Sequence, residues 1–383
     1  MKSGRYEAVD ALRGVIMMIM AIDHASAFIA RQHGSEFWAG ALSAYDSAFP
    51  FLTRWITHLC APGFFFLMGA GAYWMLAAWR ESGRQDGAAV KRLAWRGFAI
   101  FAVAQVLELP VLFLTTQLKP AAVSLSRTTA PLPNDGSSLL WGFITLTGLG
   151  LVLISCAALL RLAPGWWLGV SAACTVATHV LLPASANPGT WWNALLLAPG
   201  LAQHLLVLYP AIPWLGVAAA GMYFGFWWKR DSEKAEGQVW LVGLVLLAVG
   251  VALRAYGGLG NIRPPRDGGW IEFLNNVKYP PSLVFSTIAI GLNLVLLWVL
   301  AKLPTAVRGP RSPLVVFGQT PLFFYLAHFY ALAASAFLLF GEAGSLELAY
   351  AVWAAVLVAL YPVCAWYRRF KMGKPRESLW RMF

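Results

Sequence analysis

Ionisable side chains inside long apolar stretches are the residues of this sequence best suited to chemistry. Ionisable groups in a membrane-spanning segment cost about 2.5–3.5 kcal/mol to insert, so each is a functional candidate. A histidine can take a proton from an attacking amine or hydroxyl, or carry an acyl group as a nucleophile. The pattern therefore predicts acid–base or acyl-transfer chemistry within a membrane. The residues concerned are Asp10 with Arg13, Asp23 with His24, His58 and His328.

The first apolar stretch places a cationic group and an imidazole on one helix face. From Arg13 to His24 is close to three helical turns, a rise of about 16 Å. Asp10 lies three residues before Arg13, so the two form a structural ion pair or shape the entrance for a phosphorylated donor. Asp23 could orient the His24 ring, although neighbouring residues on a helix point about 100° apart.

His58 lies early in the second apolar stretch, and Pro62 follows four residues later. Proline has no N–H to donate to the carbonyl of His58, so we expect the helix to open or kink there. By helical rise, His24 and His58 belong in the same half of the membrane and could meet in one pocket. The alternative is that His24 is a satisfied core histidine and His58 is hydrogen-bonded across a helix interface. Glu108 in the third stretch is expected to orient an imidazole or to pair with an arginine.

Composition requires that the chain be a membrane protein. Of its 383 residues, 59% are hydrophobic and only 12% are charged, against roughly 25% charged in soluble domains. A bilayer core asks for about 20 apolar residues per helix. This predicts an all-α polytopic protein of about ten transmembrane helices, near residues 10–30, 52–78, 95–116, 138–160, 165–184, 205–228, 238–256, 281–302, 313–340 and 348–367.

The net charge of +12 follows membrane topology rather than a nucleic-acid surface. With ten crossings and the N-terminus inside, 21 of the 29 Lys and Arg residues fall on the inner side, as the positive-inside rule requires. Both termini are therefore expected in the cytoplasm, and no nucleic acid is expected as a partner. The inner basic residues Arg92, Arg96 and Arg308 would suit the phosphates of a cytosolic donor.

The sequence lacks the features of several other classes of protein. The start fits a first span better than a cleavable signal peptide, because Asp23 and His24 interrupt its apolar core. The four cysteines lie in apolar spans without a CxxC pair, and no GxxxxGK[ST] motif is present. We therefore expect no metal and no ATP-driven pump. No long linker divides the chain, so residues 1–383 are expected to form a single domain with a basic cytoplasmic tail at 368–383.

The sequence resembles the heparan-α-glucosaminide N-acetyltransferase-like bacterial membrane proteins, a group of transmembrane acyltransferases, over about residues 10–340. The first motif is Asp10-Ala-Leu-Arg13-Gly14 with His24 at an R-x10-H spacing. The others run from Arg54 through His58 and Pro62 to Gly69, from Tyr209 to Gly216, from Lys278 to Leu283, and from Gly318 to His328.

The resemblance implies a multi-pass enzyme of the inner membrane that takes an acetyl group from cytosolic acetyl-CoA. It implies transfer of that group to an amino sugar or glycan acceptor on the other side; in the lysosomal enzyme the acceptor is the amine of a terminal glucosamine. The animal enzymes have asparagine where this chain has His24, and their catalytic histidine falls nearest His33 here. The key histidine is therefore open between these two.

These expectations assign two sets of site residues. The catalytic candidates are His24, His58, Asp23 and His33. The donor-binding candidates are Asp10, Arg13, Arg92, Arg96, Lys278, Tyr279 and His328.

The alternative function is a proton-coupled transporter of a small solute or glycan precursor, which would use the same Asp and His residues as a relay. A non-catalytic scaffold is the third possibility. The GxxxG-like spacings around Gly221 leave a homo-oligomer open.

Overall fold

A computed structural model describes residues 7–34, 36–40, 43–111, 133–183, 187–266, 268–338, 343–375 and 378–381. Parts of the predicted third span, ninth span and C-terminal tail lie outside these residues. The helices are α1 (Glu7–Ala25), α2 (Ala48–Ile56), α3 (Cys60–Glu81), α4 (Asp86–Val103), α5 (Thr145–Leu159), α6 (Pro164–Leu181), α7 (Trp191–Leu196), α8 (Ala211–Arg230), α9 (Ser232–Tyr256), α10 (Trp270–Leu274), α11 (Leu283–Lys302), α12 (Thr305–Arg308), α13 (Pro313–Gln319), α14 (Pro321–Leu338) and α15 (Leu346–Met372).

The predicted all-α membrane fold is confirmed. Within the described ranges, seven helical segments are long and apolar enough to cross a membrane. Helices α5, α6 and α8 occupy the other three predicted spans, while the count of ten crossings and the side of the termini stay predictions. The seven segments are Glu7–Ala30, Ala48–Glu81, Asp86–Val111, Ser232–Tyr256, Leu283–Lys302, Pro321–Leu338 and Leu346–Met372.

Two of the predicted spans begin too early in the sequence. Residues 138–144 and 205–210 are not helical; they contribute strands β1 (Trp141–Phe143) and β3 (Leu205–Val207). With β2 (Gly200–Ala202) they form a small sheet in the order β1–β3–β2. Hydrophobicity alone does not distinguish a short buried strand from the end of an apolar helix, so these boundaries were wrong.

The helix break expected near His58 is present. Residues Thr57–Leu59 form one turn of 3₁₀-helix between α2 and α3, just before Pro62. Two further segments wind as π-helix: Ser26–Ala30, directly after α1, and Ala104–Glu108, directly after α4. Such π-segments are rare and often lie at functional sites. Both continue helices that carry candidate residues.

Helix α1 lies at the centre of the bundle and packs closely against α13. A Cβ atom built on Gly14 would lie 1.8 Å from the carbonyl oxygen of Leu314, and one on Gly318 would lie 1.8 Å from that of Asp10. Only glycine permits this approach, because both neighbours are backbone atoms. The crossing brings the inner end of α1 against the segment that holds Gln319.

Replacing Gly14 with alanine is therefore expected to destabilise the protein by at least about 1–3 kcal/mol, the usual cost of overpacking a tight contact. Thermal unfolding in lipid nanodiscs measures this. Gly169→Ala in α6 is the matched control, because a Cβ there meets nothing within 4 Å. Equal unfolding temperatures for the two variants would contradict the close crossing.

Candidate active site

A cavity of about 340 Å³ opens on the predicted cytosolic side and is rimmed by basic side chains. Its polar end contains Arg13 of α1, Arg96 of α4, Lys371 of α15 and Arg381 near the C-terminus. Its walls are apolar, with Met17, Leu67 and Leu149 among them. Such a cavity suits a ligand with an anionic head and a long, weakly polar arm.

The α1–α13 crossing positions Arg13 at this rim. Nη1 of Arg13 donates to Asp10 Oδ1 at 3.1 Å and to the carbonyl oxygen of Gly318 at 2.9 Å. Asp10 in turn accepts a hydrogen bond from Gln319 Nε2 at 2.9 Å. The Asp10–Arg13 ion pair is therefore present, and Arg13 both holds the crossing and lines the cavity.

Tyr325 lines the cavity and links it to a pair of histidines. The Tyr325 ring packs edge-on against His24, with ring centroids 6.0 Å apart. The rings of His24 and His328 lie edge to edge in nearly parallel planes, with Nδ1 of His24 2.8 Å from Nε2 of His328. His24 is partly exposed, whereas His328 is fully buried. Tyr325 is thus a residue of the cavity lining that contacts the partly exposed imidazole of His24.

Tyr325 is held from the other side by a buried carboxyl group. Its hydroxyl donates to Glu108, and the backbone N–H of Leu146 donates to the same carboxylate at 3.1 Å. Leu146 lies in the first turn of α5, where backbone N–H groups have no partner within the helix. Glu108 therefore positions Tyr325 and caps α5, rather than pairing with an arginine or an imidazole as the sequence predicted.

A second polar cluster lies toward the predicted outer side and is centred on Arg54. Its Nη1 donates to Asp23 Oδ1 at 2.6 Å, and its Nη2 donates to Glu36 Oε2 at 2.5 Å. His33 Nε2 lies 2.9 Å from Arg54 Nη1 and 3.4 Å from Asp23 Oδ2. His58 Nε2 hydrogen-bonds to the second Glu36 oxygen. One guanidinium thus joins two carboxylates and lies against one histidine.

The loop members of this cluster have shifted pKa values. Burial alone would raise the pKa of the Glu36 carboxyl, but the charge of Arg54 and the contact with His58 outweigh it and lower the pKa to about 2. Burial lowers the pKa of His33, and the Arg54 guanidinium adds to the effect. Glu36 is therefore ionised and His33 neutral at pH 7, as a proton acceptor must be.

Lys278 and Tyr279 belong to this outer cluster, at a distance from the donor cavity in which they were expected. Their backbone N–H groups both donate to the carbonyl oxygen of Glu36, at 3.0 and 3.1 Å. The Lys278 ammonium lies over the Tyr279 ring, 5.1 Å from its centroid. These contacts fix the first outer loop against the segment that precedes α11.

The remaining predicted residues are distributed between the two regions. His24 is paired with His328 rather than with His58, and Asp23 is paired with Arg54 and does not orient His24. Arg92 lies one turn before Arg96 on α4, beside the cavity lining rather than in it. Arg96 and Arg13 line one cavity, as their shared position on the predicted inner side led us to expect.

The sequence reasoning did not single out four residues that matter here. Arg54 is a charged residue within an apolar span, and the rule that identified His58 applies equally to it. Glu36 could not be identified from the sequence, because a carboxylate in a loop has no regular spacing from the residues that it contacts. Lys371 and Arg381 were counted as inner basic residues; only the fold brings them to Arg13.

Comparison with known protein families matches most of this chain to one of them. No curated protein matches the chain. The family described as "Heparan-alpha-glucosaminide N-acetyltransferase, catalytic" matches residues 5–252, which include the Asp10–Gly14 and Arg54–Gly69 motifs, His24 and Arg96. Lys278 and His328 lie beyond the matched part. Because the match covers well over half of the chain, this protein belongs to the heparan-alpha-glucosaminide N-acetyltransferase catalytic family of membrane acetyltransferases.

Proposed function

We propose that the protein transfers an acetyl group from cytosolic acetyl-CoA to an amino sugar or glycan on the extracytoplasmic side of the bacterial inner membrane. One observation carries the proposal: a cavity with four basic residues on its predicted cytosolic side is also lined by Tyr325, whose ring contacts His24. The rim matches the phosphates of a CoA donor, and the apolar walls match its extended arm.

The basic cavity and the Arg54 cluster differ in charge, and this difference assigns them different roles. Arg13, Arg96, Lys371 and Arg381 would bind the anionic part of the donor, since charge-assisted hydrogen bonds are the strong ones. His24 lies about 16 Å further along α1 than Arg13, at the depth that the thioester end of an extended donor would reach. The Arg54 cluster lies beyond His24, where an acceptor arriving from outside would meet it.

His24 is the group best placed to act on the reacting atoms. It is partly exposed and its ring is next to the cavity lining, whereas His58 is buried against Glu36. His33 contacts Asp23 and Arg54 and would act on the acceptor side. An acetyl group passes either directly to the acceptor nitrogen or oxygen or through an acetyl-imidazole on His24.

The proposal is tested with purified protein in nanodiscs and acetyl-CoA labelled on its acetyl group. Release of CoA and transfer of label to glucosamine are measured, together with label retained on the protein. Transfer above the level of empty nanodiscs is expected. If acetyl-CoA neither binds nor reacts while a solute moves with protons in sealed vesicles, the protein is a proton-coupled transporter instead.

Substitution of the rim provides a second test. Arg96→Gln is expected to raise the KM for acetyl-CoA by about 10–100-fold with kcat nearly unchanged, because a charge-assisted hydrogen bond contributes about 1.5–3 kcal/mol. Lys91→Gln removes the same charge from an exposed position of α4 and is the matched control. A KM that changes equally in both variants would mean that only the overall charge of the inner face matters.

A further inference from the structure

The hydrogen bonds of the His24–His328 pair run in one direction. Nδ1 of His328 lies 2.9 Å from the carbonyl oxygen of Phe324, one turn earlier on α14. A carbonyl oxygen has only lone pairs, so Nδ1 of His328 must carry the proton in this bond. In a neutral ring, Nε2 of His328 is then an acceptor.

The partner of that acceptor is His24. Its Nδ1 lies 2.8 Å from Nε2 of His328, and a hydrogen bond needs one proton between the two atoms. Nδ1 of His24 must therefore be protonated, which leaves Nε2 of His24 with its lone pair. The tautomer of His24 thus follows from a backbone carbonyl two hydrogen bonds away.

The surroundings favour a neutral pair. His328 is fully buried, and Phe324, Tyr325 and Phe329 surround the two rings. A charge without a counter-ion is costly in such an environment. The adjacent carboxylate of Asp23 is bonded to Arg54 at 2.6 Å and to Thr57 Oγ1 at 3.2 Å, and it also contacts His33.

We propose that His328 is a positioning residue, which holds His24 in the Nδ1-protonated tautomer and makes Nε2 of His24 the reactive atom. This rests on the proposed acetyl transfer. The acceptor nitrogen forms a bond to the acetyl carbon, and the C–S bond breaks with its electron pair going to sulfur. The proton lost by the nitrogen moves to Nε2 of His24 and then to the CoA thiolate.

The His24–His328 pair stabilises the charge that develops on His24 better than an isolated histidine would. Once Nε2 of His24 has taken the proton, the imidazolium still donates from Nδ1 to Nε2 of His328, and this bond becomes charge-assisted and stronger. Stabilisation that increases as charge develops lowers the barrier rather than only the ground-state energy. A ring at position 328 that serves only for packing would not give this effect.

The experiment combines spectroscopy with kinetics on ¹⁵N-histidine-labelled protein in nanodiscs. The ¹⁵N chemical shifts distinguish the two tautomers, and the signals absent from His24→Gln identify those of His24. In the wild type His24 is expected to be protonated on Nδ1. His328→Phe keeps a ring but removes the acceptor, so His24 should lose this preference and kcat should fall by about 100-fold with an unchanged KM.

His328→Gln is the matched variant, because its amide oxygen can accept the same hydrogen bond. It should restore the Nδ1–H tautomer and a large part of kcat. An Nε2-protonated His24 in the wild type, or equal kcat values in the Phe and Gln variants, would overturn the proposal. If the tautomer is as expected but the wild type transfers no acetyl group, the positioning stands and the proposed function fails.

Discussion

His24→Gln is expected to lower kcat for acetyl transfer by about 10²–10⁴-fold, the usual contribution of a general base. The reason is geometric: His24 is the imidazole that contacts Tyr325 in the lining of the donor cavity. Acetyl-CoA binding should remain at the wild-type level, because the basic rim is untouched. Turnover, together with the unfolding temperature in the presence and absence of CoA, measures both properties.

Two further histidines make this prediction decisive. His179→Gln is the control, since His179 bonds to the carbonyl oxygen of Thr175 on α6, away from the cavity. His33→Gln tests the rival, because the family resemblance leaves the key histidine open between His24 and His33. Full activity of the His24 variant with loss of activity in the His33 variant would move the catalytic role to the first outer loop.

Arg54→Met is expected to have the largest effect on stability, a loss of about 3–5 kcal/mol. The substitution leaves the carboxylates of Asp23 and Glu36 buried without their shared cation. We therefore expect a much lower unfolding temperature and poor recovery of folded protein from the membrane. Denaturant or thermal unfolding in nanodiscs measures the loss.

A compensated variant distinguishes charge from packing. Arg54→Met combined with Asp23→Asn and Glu36→Gln removes the two negative charges with little change in volume. This triple variant should be clearly more stable than Arg54→Met alone, because the cost comes mainly from unpaired buried charge. If the triple variant unfolds at the same temperature as the single variant, the cluster is held by packing and our electrostatic account is wrong.

The sequence was sufficient to predict the features that depend on local pattern. Long apolar runs predict membrane helices, and the spacing of Asp10 and Arg13 predicts an ion pair; both are confirmed. The break at Thr57–Leu59 follows from Pro62, because a missing backbone donor acts within one turn. Each of these features is determined by residues within a few positions of one another.

The same reasoning could not predict contacts between segments that are distant in sequence. His24 was expected to meet His58 because helical rise places both at a similar depth. Helical rise does not give the angle at which a neighbouring helix presents its side chains, so the prediction was wrong. His328 instead occupies that place, 304 residues away in sequence. Glu108 likewise bonds to Tyr325 across 217 residues, and depth within the membrane does not specify such a partner.

The position of α1 has a consequence for biosynthesis. This helix is synthesised long before its partners Gly318, Gln319 and His328, which are made about 300 residues later. Until then, its buried polar groups must be tolerated by the bilayer or by the insertion machinery. Residues 5–252, which match the family, do not include these partners. The site is therefore completed only when α13 and α14 reach the membrane and pack against α1.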